Sequence, residues 1–195
     1  LTDMRALLGD NPQMDKLWAD VSSRLQPVLR LDGGHDDYVS SEITLAGPFT
    51  VETWVNLDPG ISNLDGILGH AGSADLNFYA ERFRFYAGDK FGDVVVATNK
   101  TAPGQWTHVA VSRDGRGEFR IYINGELDSV GTKLATETFE NLDIGRTIPT
   151  AGGTAGALAE FRVWSRARTA AEILAHFDRS FAGEAPPPGL VLAMR

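Results

Sequence analysis

An alternation of apolar and polar residues repeats through most of this chain and constrains its fold more than any other feature. The runs FTVETWVNL (49–57), WTHVAVS (106–112) and EFRIYING (118–125) each place aliphatic or aromatic side chains on one face at every second position. A period of two indicates β-strands that bury one face. Because turn dipeptides rather than helices separate the runs, the sequence predicts antiparallel sheets in a sandwich or barrel.

Turn signals mark where these strands reverse. They are Gly33-Gly34, Asp114-Gly115, Asn124-Gly125 and Gly152-Gly153. The segment LNFYAERFRFYAG (76–88) also reads as a hairpin, with its break at Glu81-Arg82. Short strands at this spacing are typical of a single all-β domain in a chain of this length.

Helical spacing is confined to the two ends. Residues 1–26 place apolar side chains three or four positions apart, which predicts a helical N-terminal segment that flanks the domain or belongs to a neighbouring one. Thr169 and Glu172 form a predicted capping box for a short helix whose apolar stripe is Ile173, Phe177 and Phe181. We therefore expect a helical segment at 1–26, a β domain at 27–182 and a Pro-rich tail or linker at 183–195.

Composition excludes several classes of function. The net charge is −8 and no basic block is longer than two residues, which argues against nucleic acid and anionic membrane surfaces as partners. No apolar run is long enough for membrane insertion, and without cysteine there is no disulfide or thiolate metal site. The chain begins at Leu1 with no leader pattern, so we expect it to be a segment of a longer protein.

Six segments, taken in order, carry a family resemblance. They are LRLDGGHDDYV (29–39), GPFTVETWVN (47–56), GQWTHVAVSRDG (104–115), RIYINGEL (120–127), LDIGR (142–146) and GALAEFRVWSRARTAAEI (156–173). Together they resemble a laminin G-like, concanavalin A-like jelly-roll domain of the bacterial type, over roughly 28–178. The resemblance implies an all-β, two-sheet antiparallel jelly-roll sandwich with helices at its two ends. It also implies an extracellular, periplasmic or cell-surface location.

Calcium is the cofactor that the resemblance suggests. Members of the family often bind a structural calcium ion at the turn that here contains Asp32, Asp36 and Asp37, helped by an aspartate in the closing segment. This chain has Ala159 before Glu160 where the family commonly has Asp-Glu, so one expected carboxylate is missing. Two interpretations stay open: a calcium site at the rim, or a solvated acidic turn in which an aspartate forms an Asx-turn.

Catalytic motifs are incomplete. Laminarinase-like hydrolases of this fold alternate three carboxylates on one strand, whereas Glu126/Asp128 and Glu140/Asp143 lack the further glutamate. No Gly-x-Ser-x-Gly motif occurs, and no two histidines have zinc-ligand spacing on one element. A lyase-like set of His108, Arg120, Tyr122 and Arg162 would require neighbouring strands that face one groove. We therefore do not expect an enzyme.

His108 is predicted to belong to a packed layer. It shares strand parity with Trp106, and Trp54, Tyr122 and Trp164 have the same parity in their own strands. If these strands are neighbours, the five side chains form one aromatic and polar layer outside the core. We expect His108 to be hydrogen-bonded within this layer and Trp54, Trp106 and Trp164 to serve in packing.

Ligand-binding candidates lie in the segments that do not match the family pattern, which we interpret as loops. They are Asn63, Asp65, Asp75, Phe91 and Asn99. The predicted function is a non-catalytic recognition module for carbohydrate or protein within a larger secreted or cell-surface protein, with the other domains of that protein as partners. The alternatives are a structural spacer without ligand and, with less support, a polysaccharide lyase or glycoside hydrolase.

Overall fold

The computed structural model describes residues 28–178 and 189–194, which form two antiparallel sheets and one short helix. The strands are β1 (Val28–Asp32), β2 (Val39–Leu45), β3 (Phe49–Leu57), β4 (Gly66–His70), β5 (Ala74–Tyr79), β6 (Arg82–Tyr86), β7 (Asp93–Val96), β8 (Thr107–Arg113), β9 (Glu118–Ile123), β10 (Glu126–Leu134), β11 (Phe139–Ile144), β12 (Ala155–Trp164) and β13 (Leu190–Met194). The helix, α1, spans Ala170–His176. The predicted N-terminal helix and Phe181 lie outside the described residues.

The strand order is that of a jelly-roll sandwich. Sheet A has the order β1-β12-β3-β8-β9-β10, with β13 also paired to β12, and sheet B has the order β2-β11-β4-β5-β6-β7. Neighbouring strands are often distant in sequence, as where β12 pairs with both β1 and β3. The predicted all-β, two-sheet antiparallel jelly-roll is therefore confirmed. No helix in the described part of the chain has the length and apolar character needed to cross a membrane.

The core lies between the two sheets, where the alternating residues face each other. The inward positions of β3, β8 and β9 are buried as the period of two predicts, and they meet Phe85 and Phe139 from sheet B. The rings of Phe85 and Phe119 stack with centroids 5.1 Å apart. Arg113 is also buried here, and its guanidinium lies 4.7 Å from the centre of the Phe49 ring while it donates to the carbonyl of Glu137 at 2.6 Å. Burial of these rings supplies the main stabilising contact between the sheets.

Two hairpins turn through left-handed residues. Asn124 and Gly125 have φ values of 50° and 83°, as a type I′ turn between β9 and β10 requires. Ala80 and Glu81 make the corresponding turn between β5 and β6, with φ values of 51° and 61°. The predicted 76–88 hairpin is confirmed, but its turn lies one residue earlier than expected because Arg82 already pairs with Tyr79.

Helix α1 covers part of the outer face of sheet A. Its capping box is confirmed, since the Thr169 hydroxyl accepts a hydrogen bond from the Glu172 amide and the Glu172 side chain accepts one from the Thr169 amide. Arg168 leads into the helix and donates to both oxygens of the buried Glu52 at 2.7 and 2.5 Å. Arg162 donates to the same carboxylate at 3.2 Å. This buried ion-pair network attaches the C-terminal segment to sheet A.

Two expectations about the periphery are corrected. Within the predicted tail, Leu190–Met194 forms β13 against β12, because an apolar run after Gly189 can add to the free edge of that strand beside β1. Trp106 precedes β8 and is 43% exposed, so it does not pack as Trp164 does.

Candidate functional site

A cleft of about 490 Å³ opens on the outer face of sheet B. Its floor and walls come mainly from strands β5 and β6, with contributions from β4, β7 and the loops around them. The lining side chains are Asn63, Leu64, His70, Ala71, Gly72, Asp75, Asn77, Tyr79, Arg84, Tyr86, Asp89, Asp93, Thr147 and Ile148. Two tyrosines thus stand beside several amide, hydroxyl and carboxylate groups.

Strand parity explains why these side chains converge. In β5, alternate residues beginning at Ala74 enter the core, so the intervening ones point outward, and β6 alternates in the same way. Cross-strand pairing then arranges the outward residues in two rows across β4, β5, β6 and β7. The rows are Gly69, Asp75, Tyr86 and Asp93, and Gly66, Asn77, Arg84 and Val96.

The two glycines of β4 create the hollow. On the β4 side of Asp75 and Asn77 there is no side chain, and the Thr147 hydroxyl occupies the space beside the two glycines instead. A Cβ atom on Gly66 would overlap both Thr147 Oγ1 and Asp75 Oδ1. A Cβ on Gly69 would overlap Thr147 as well. Glycine is therefore required at these strand positions by close approach rather than by backbone conformation.

Asp75 is the buried carboxyl at the floor. It is 6% exposed, and its oxygens accept hydrogen bonds from Thr147 Oγ1 at 2.8 Å and from Asn77 Nδ2 at 2.6 Å. Burial raises the pKa of Asp75 to about 6, and these two hydrogen bonds oppose the rise. The carboxyl group consequently changes its charge within the range from mildly acidic to neutral pH.

Asn77 carries a buried acceptor without a partner. It is 2% exposed, and its Nδ2 donates to Asp75 and, at 3.3 Å, to Asn63 Oδ1. Two acceptors on Nδ2 determine the amide orientation, since the flipped amide would place oxygen against oxygen. Asn77 Oδ1 then has no hydrogen-bond partner within the described chain, and neither does Nε of Arg84, its cross-strand neighbour. A buried polar atom left in this state is costly, and a ligand that satisfies it gains affinity.

Two tyrosines line the cleft above this floor. Tyr79 is 46% exposed, and the Arg84 guanidinium lies 4.9 Å from the centre of its ring. The Tyr86 hydroxyl donates to Asp89, and this hydrogen bond, followed by burial, raises the pKa of Tyr86 to about 12. Both rings project from strands and have polar edges. The surface of Tyr86 and the part of Tyr79 that Arg84 does not cover suit stacking against the apolar face of a sugar ring.

The predicted ligand-binding residues separate into two groups. Asn63 and Asp75 both line the cleft. Asp65 instead accepts a hydrogen bond from the Ser62 amide, Phe91 packs partly against the core, and Asn99 donates to Asp128. These last three residues do not line the cleft, and ligand binding by them stays a prediction.

One placement is wrong in detail. Asp75 lies in strand β5, not in a loop, because Ala74, Leu76 and Phe78 continue the period-two burial through it. Sequence reasoning missed Asn77, Tyr79, Arg84 and Tyr86, although the predicted 76–88 hairpin contains all four. Their shared outward parity was the available signal.

The acidic turn after β1 is tied together by its own backbone. Asp32 Oδ1 accepts from the Gly34 amide at 2.7 Å, as in an Asx-turn, and Asp37 Oδ2 accepts from the Asp32 amide at 2.6 Å. Asp36 lies 3.2 Å from the His35 ring. Within residues 28–178 and 189–194, no three His, Cys, Asp or Glu side chains form a group that could hold a metal ion. The arrangement does not fit a calcium site built from these carboxylates, and calcium binding stays a prediction.

The layer around His108 is closed. Strands β12, β3, β8 and β9 are neighbours, so Trp54, His108, Tyr122 and Trp164 do share one face, but His108 is 1% exposed and contacts the rings of Trp54 and Phe177. The expectation that it is hydrogen-bonded is wrong, since neither ring nitrogen has a partner among the described residues. Burial, with help from Arg162 and Arg168, lowers the pKa of His108 to about 3. An imidazole that is buried and this weakly basic can neither reach a substrate nor take a proton from it efficiently, so His108 does not suit the role of a lyase base.

These features define an all-β jelly-roll with a polar and aromatic cleft on one sheet and a helix on the other. The family model described as the concanavalin A-like lectin/glucanases superfamily matches residues 32–174, and the chain belongs to that superfamily. This confirms the resemblance stated from the sequence. A comparison with curated proteins gave no significant match.

Solved structures show the same fold at low identity. A candidate carbohydrate binding protein from Bacteroides ovatus is 21% identical with a TM-score of 0.62, over 86% of this chain and 48% of that one. Domain 4 of AbnA, an extracellular arabinanase from Geobacillus stearothermophilus, in complex with arabinotriose, is 19% identical with a TM-score of 0.58, over 78% and 88%. The binding domain of botulinum neurotoxin serotype G is 15% identical with a TM-score of 0.57, over 75% and 41%. The chain thus spans about half the length of the first protein and less of the third.

Proposed function

We propose that this chain is a non-catalytic recognition module that binds carbohydrate in the sheet B cleft. The observation that carries the proposal is the cleft itself, which Tyr79 and Tyr86 line together with the buried pair of Asp75 and Asn77. Sugar recognition needs a stacking surface beside fixed hydrogen-bonding groups, and strands hold such groups more rigidly than loops do.

The structural relatives support this proposal at the level of class. The names of two of them refer to carbohydrate binding or to a bound oligosaccharide, and the third is named as a toxin binding domain. Because the identities are low, no residue correspondence is carried over from those proteins. The proposal includes a setting outside the cytoplasm, where polysaccharides are accessible, and other domains of a longer protein as partners.

A glycosidase in the same cleft is the main competing hypothesis, since a carboxyl group with a raised pKa is what a general acid requires. Asp75, however, is a buried residue of the cleft floor, and each of its oxygens already accepts an internal hydrogen bond. These contacts suit a residue that fixes the positions of Asn77 and Thr147. We therefore expect any bound oligosaccharide to be recovered intact after prolonged incubation.

A glycan array followed by calorimetry with Tyr79→Ala tests the proposal. We expect one class of glycan to bind the native chain and Tyr79→Ala to weaken that binding about tenfold or more. Trp106→Ala is the matched control, because Trp106 is an aromatic residue of similar exposure outside the cleft. Absence of binding to every glycan, as a structural spacer would show, would contradict the proposal. So would equal losses in the two variants.

A further inference from the structure

The lining of the cleft has an excess of negative charge. Asp75, Asp89 and Asp93 contribute carboxyl groups, whereas Arg84 is the single Lys or Arg among the described residues that line it. A ligand bound here stays close to these carboxylates in a partly enclosed space. Charges of one sign in a cleft repel ligands of the same sign more strongly than the same charges spread over an open surface would.

Arg84 is already engaged by the protein. Its Nη1 donates to Asp93 Oδ2 at 2.9 Å and its Nη2 donates to the Tyr79 carbonyl at 3.1 Å. The same guanidinium lies over the Tyr79 ring. Two of the five N–H donors of this guanidinium are therefore used by internal partners, and Asp93 offsets its charge.

The two unpartnered atoms of the floor specify the kind of group that fits. Asn77 Oδ1 needs a donor and Arg84 Nε needs an acceptor, and the two residues are direct cross-strand neighbours. A hydroxyl group is both donor and acceptor, so a sugar hydroxyl matches the chemistry of either atom. A carboxylate or sulfate can only accept, so it would suit Arg84 Nε but would leave Asn77 Oδ1 facing another oxygen.

We propose that the cleft selects neutral, hydroxyl-rich glycans and discriminates against glycans that carry carboxylate or sulfate groups. The inference rests on the proposed function and specifies the class of ligand that the same site binds. The lining carboxylates repel anionic groups of a ligand, and Asn77 Oδ1 can be satisfied only by a hydrogen-bond donor. Both effects favour a neutral ligand.

Calorimetry with matched glycans tests this selectivity. The probes are a neutral oligosaccharide that binds on the array and a series of counterparts, each carrying one sulfate at a different hydroxyl. At low ionic strength of about 20 mM, we expect the sulfated forms to bind on average about tenfold more weakly or worse. Salt at about 500 mM should narrow the difference, because screening weakens repulsion but leaves steric exclusion unchanged.

Two variants separate charge from shape. Asp89→Asn keeps an acceptor for the Tyr86 hydroxyl and removes one lining charge, so it should narrow the ratio between neutral and sulfated ligands. Asp58→Asn removes a carboxylate that pairs with Arg30 outside the cleft, and it should leave the ratio unchanged.

The outcomes distinguish this inference from the proposed function. If sulfated or uronate glycans bind as tightly as neutral ones, or if they alone bind on the array, the inferred selectivity is contradicted. The proposed function of glycan binding is then still supported. A ratio that neither salt nor Asp89→Asn changes also contradicts the inference. If no glycan of either kind binds, the proposed function fails and the inference fails with it.

Discussion

Replacing Asp75 with asparagine should change how the free energy of unfolding depends on pH. Burial raises the pKa of Asp75 in the folded protein to about 6, from an ordinary value of 3.8. Between these two values the folded protein keeps a proton on Asp75 that the unfolded chain has already released. The wild-type protein therefore loses stability as the pH rises through this range, and the loss is complete above about pH 6.

The size of the effect follows from the displacement of the pKa, which corresponds to about 3 kcal/mol of stability. Asp75→Asn has no proton to lose in this range. Its amide oxygen can accept from Asn77, and its amide nitrogen can donate to the Thr147 hydroxyl, so both contacts of the floor are retained. The stability of the variant minus that of the wild type should thus increase by about 3 kcal/mol from about pH 3.5 to about pH 7.

Urea denaturation of both proteins across this pH range measures that difference directly. The difference matters because His108 acts in the opposite direction: its pKa is lowered to about 3, so its contribution to stability falls as the pH decreases below its ordinary value of 6.5. His108 is present in both proteins and cancels in the subtraction. A difference that stays flat across the range would refute the reasoning that Asp75 is desolvated at the floor of the cleft.

Three further predictions concern the network, the hollow and the acidic turn. Glu52→Gln should destabilise the fold by about 3 to 5 kcal/mol in urea, because it removes the carboxylate that buried Arg162 and Arg168 share and leaves Glu160 as a partner of Arg162. The exposed Glu126→Gln should change the free energy of unfolding by less than about 0.5 kcal/mol. Gly66→Ala should displace Thr147 and abolish glycan binding in calorimetry, while Gly115→Ala, which meets no atom closer than 3.9 Å, should bind as the wild type does. Titration with millimolar calcium tests the turn after β1: heat and a raised melting temperature would support a site there, and their absence would dispose of it.

The fold could be predicted because its determinants are local and repeated. The period of two in β3, β8 and β9 identifies the buried faces directly, and the Asn124-Gly125 turn and the Thr169 capping box depend on few neighbouring residues. The exposure of Trp106 could not be predicted from the strand pattern. Alternation along a strand assigns a residue to one face of the sheet, but it does not show how much of that face helix α1 covers.

The site was harder to predict because it is made across strands. Asp75 and Asn77 line a cleft only because Gly66 and Gly69 stand opposite them and because Thr147 arrives from a distant loop. Strand register and long-range packing bring these residues together, and neither can be predicted from a single segment of the sequence. The assumption that ligands bind on loops also drew attention to Phe91 and Asn99, whereas the cleft residues lie mostly on strands.

An NMR titration with the neutral oligosaccharide tests the central claim most directly. If the sheet B cleft binds carbohydrate, saturable shift changes should concentrate at the amides of β5 and β6 and around Thr147, with the Asn77 side-chain amide among the most affected. Shift changes confined to helix α1 and the outer face of sheet A, or none at millimolar ligand, would contradict the account.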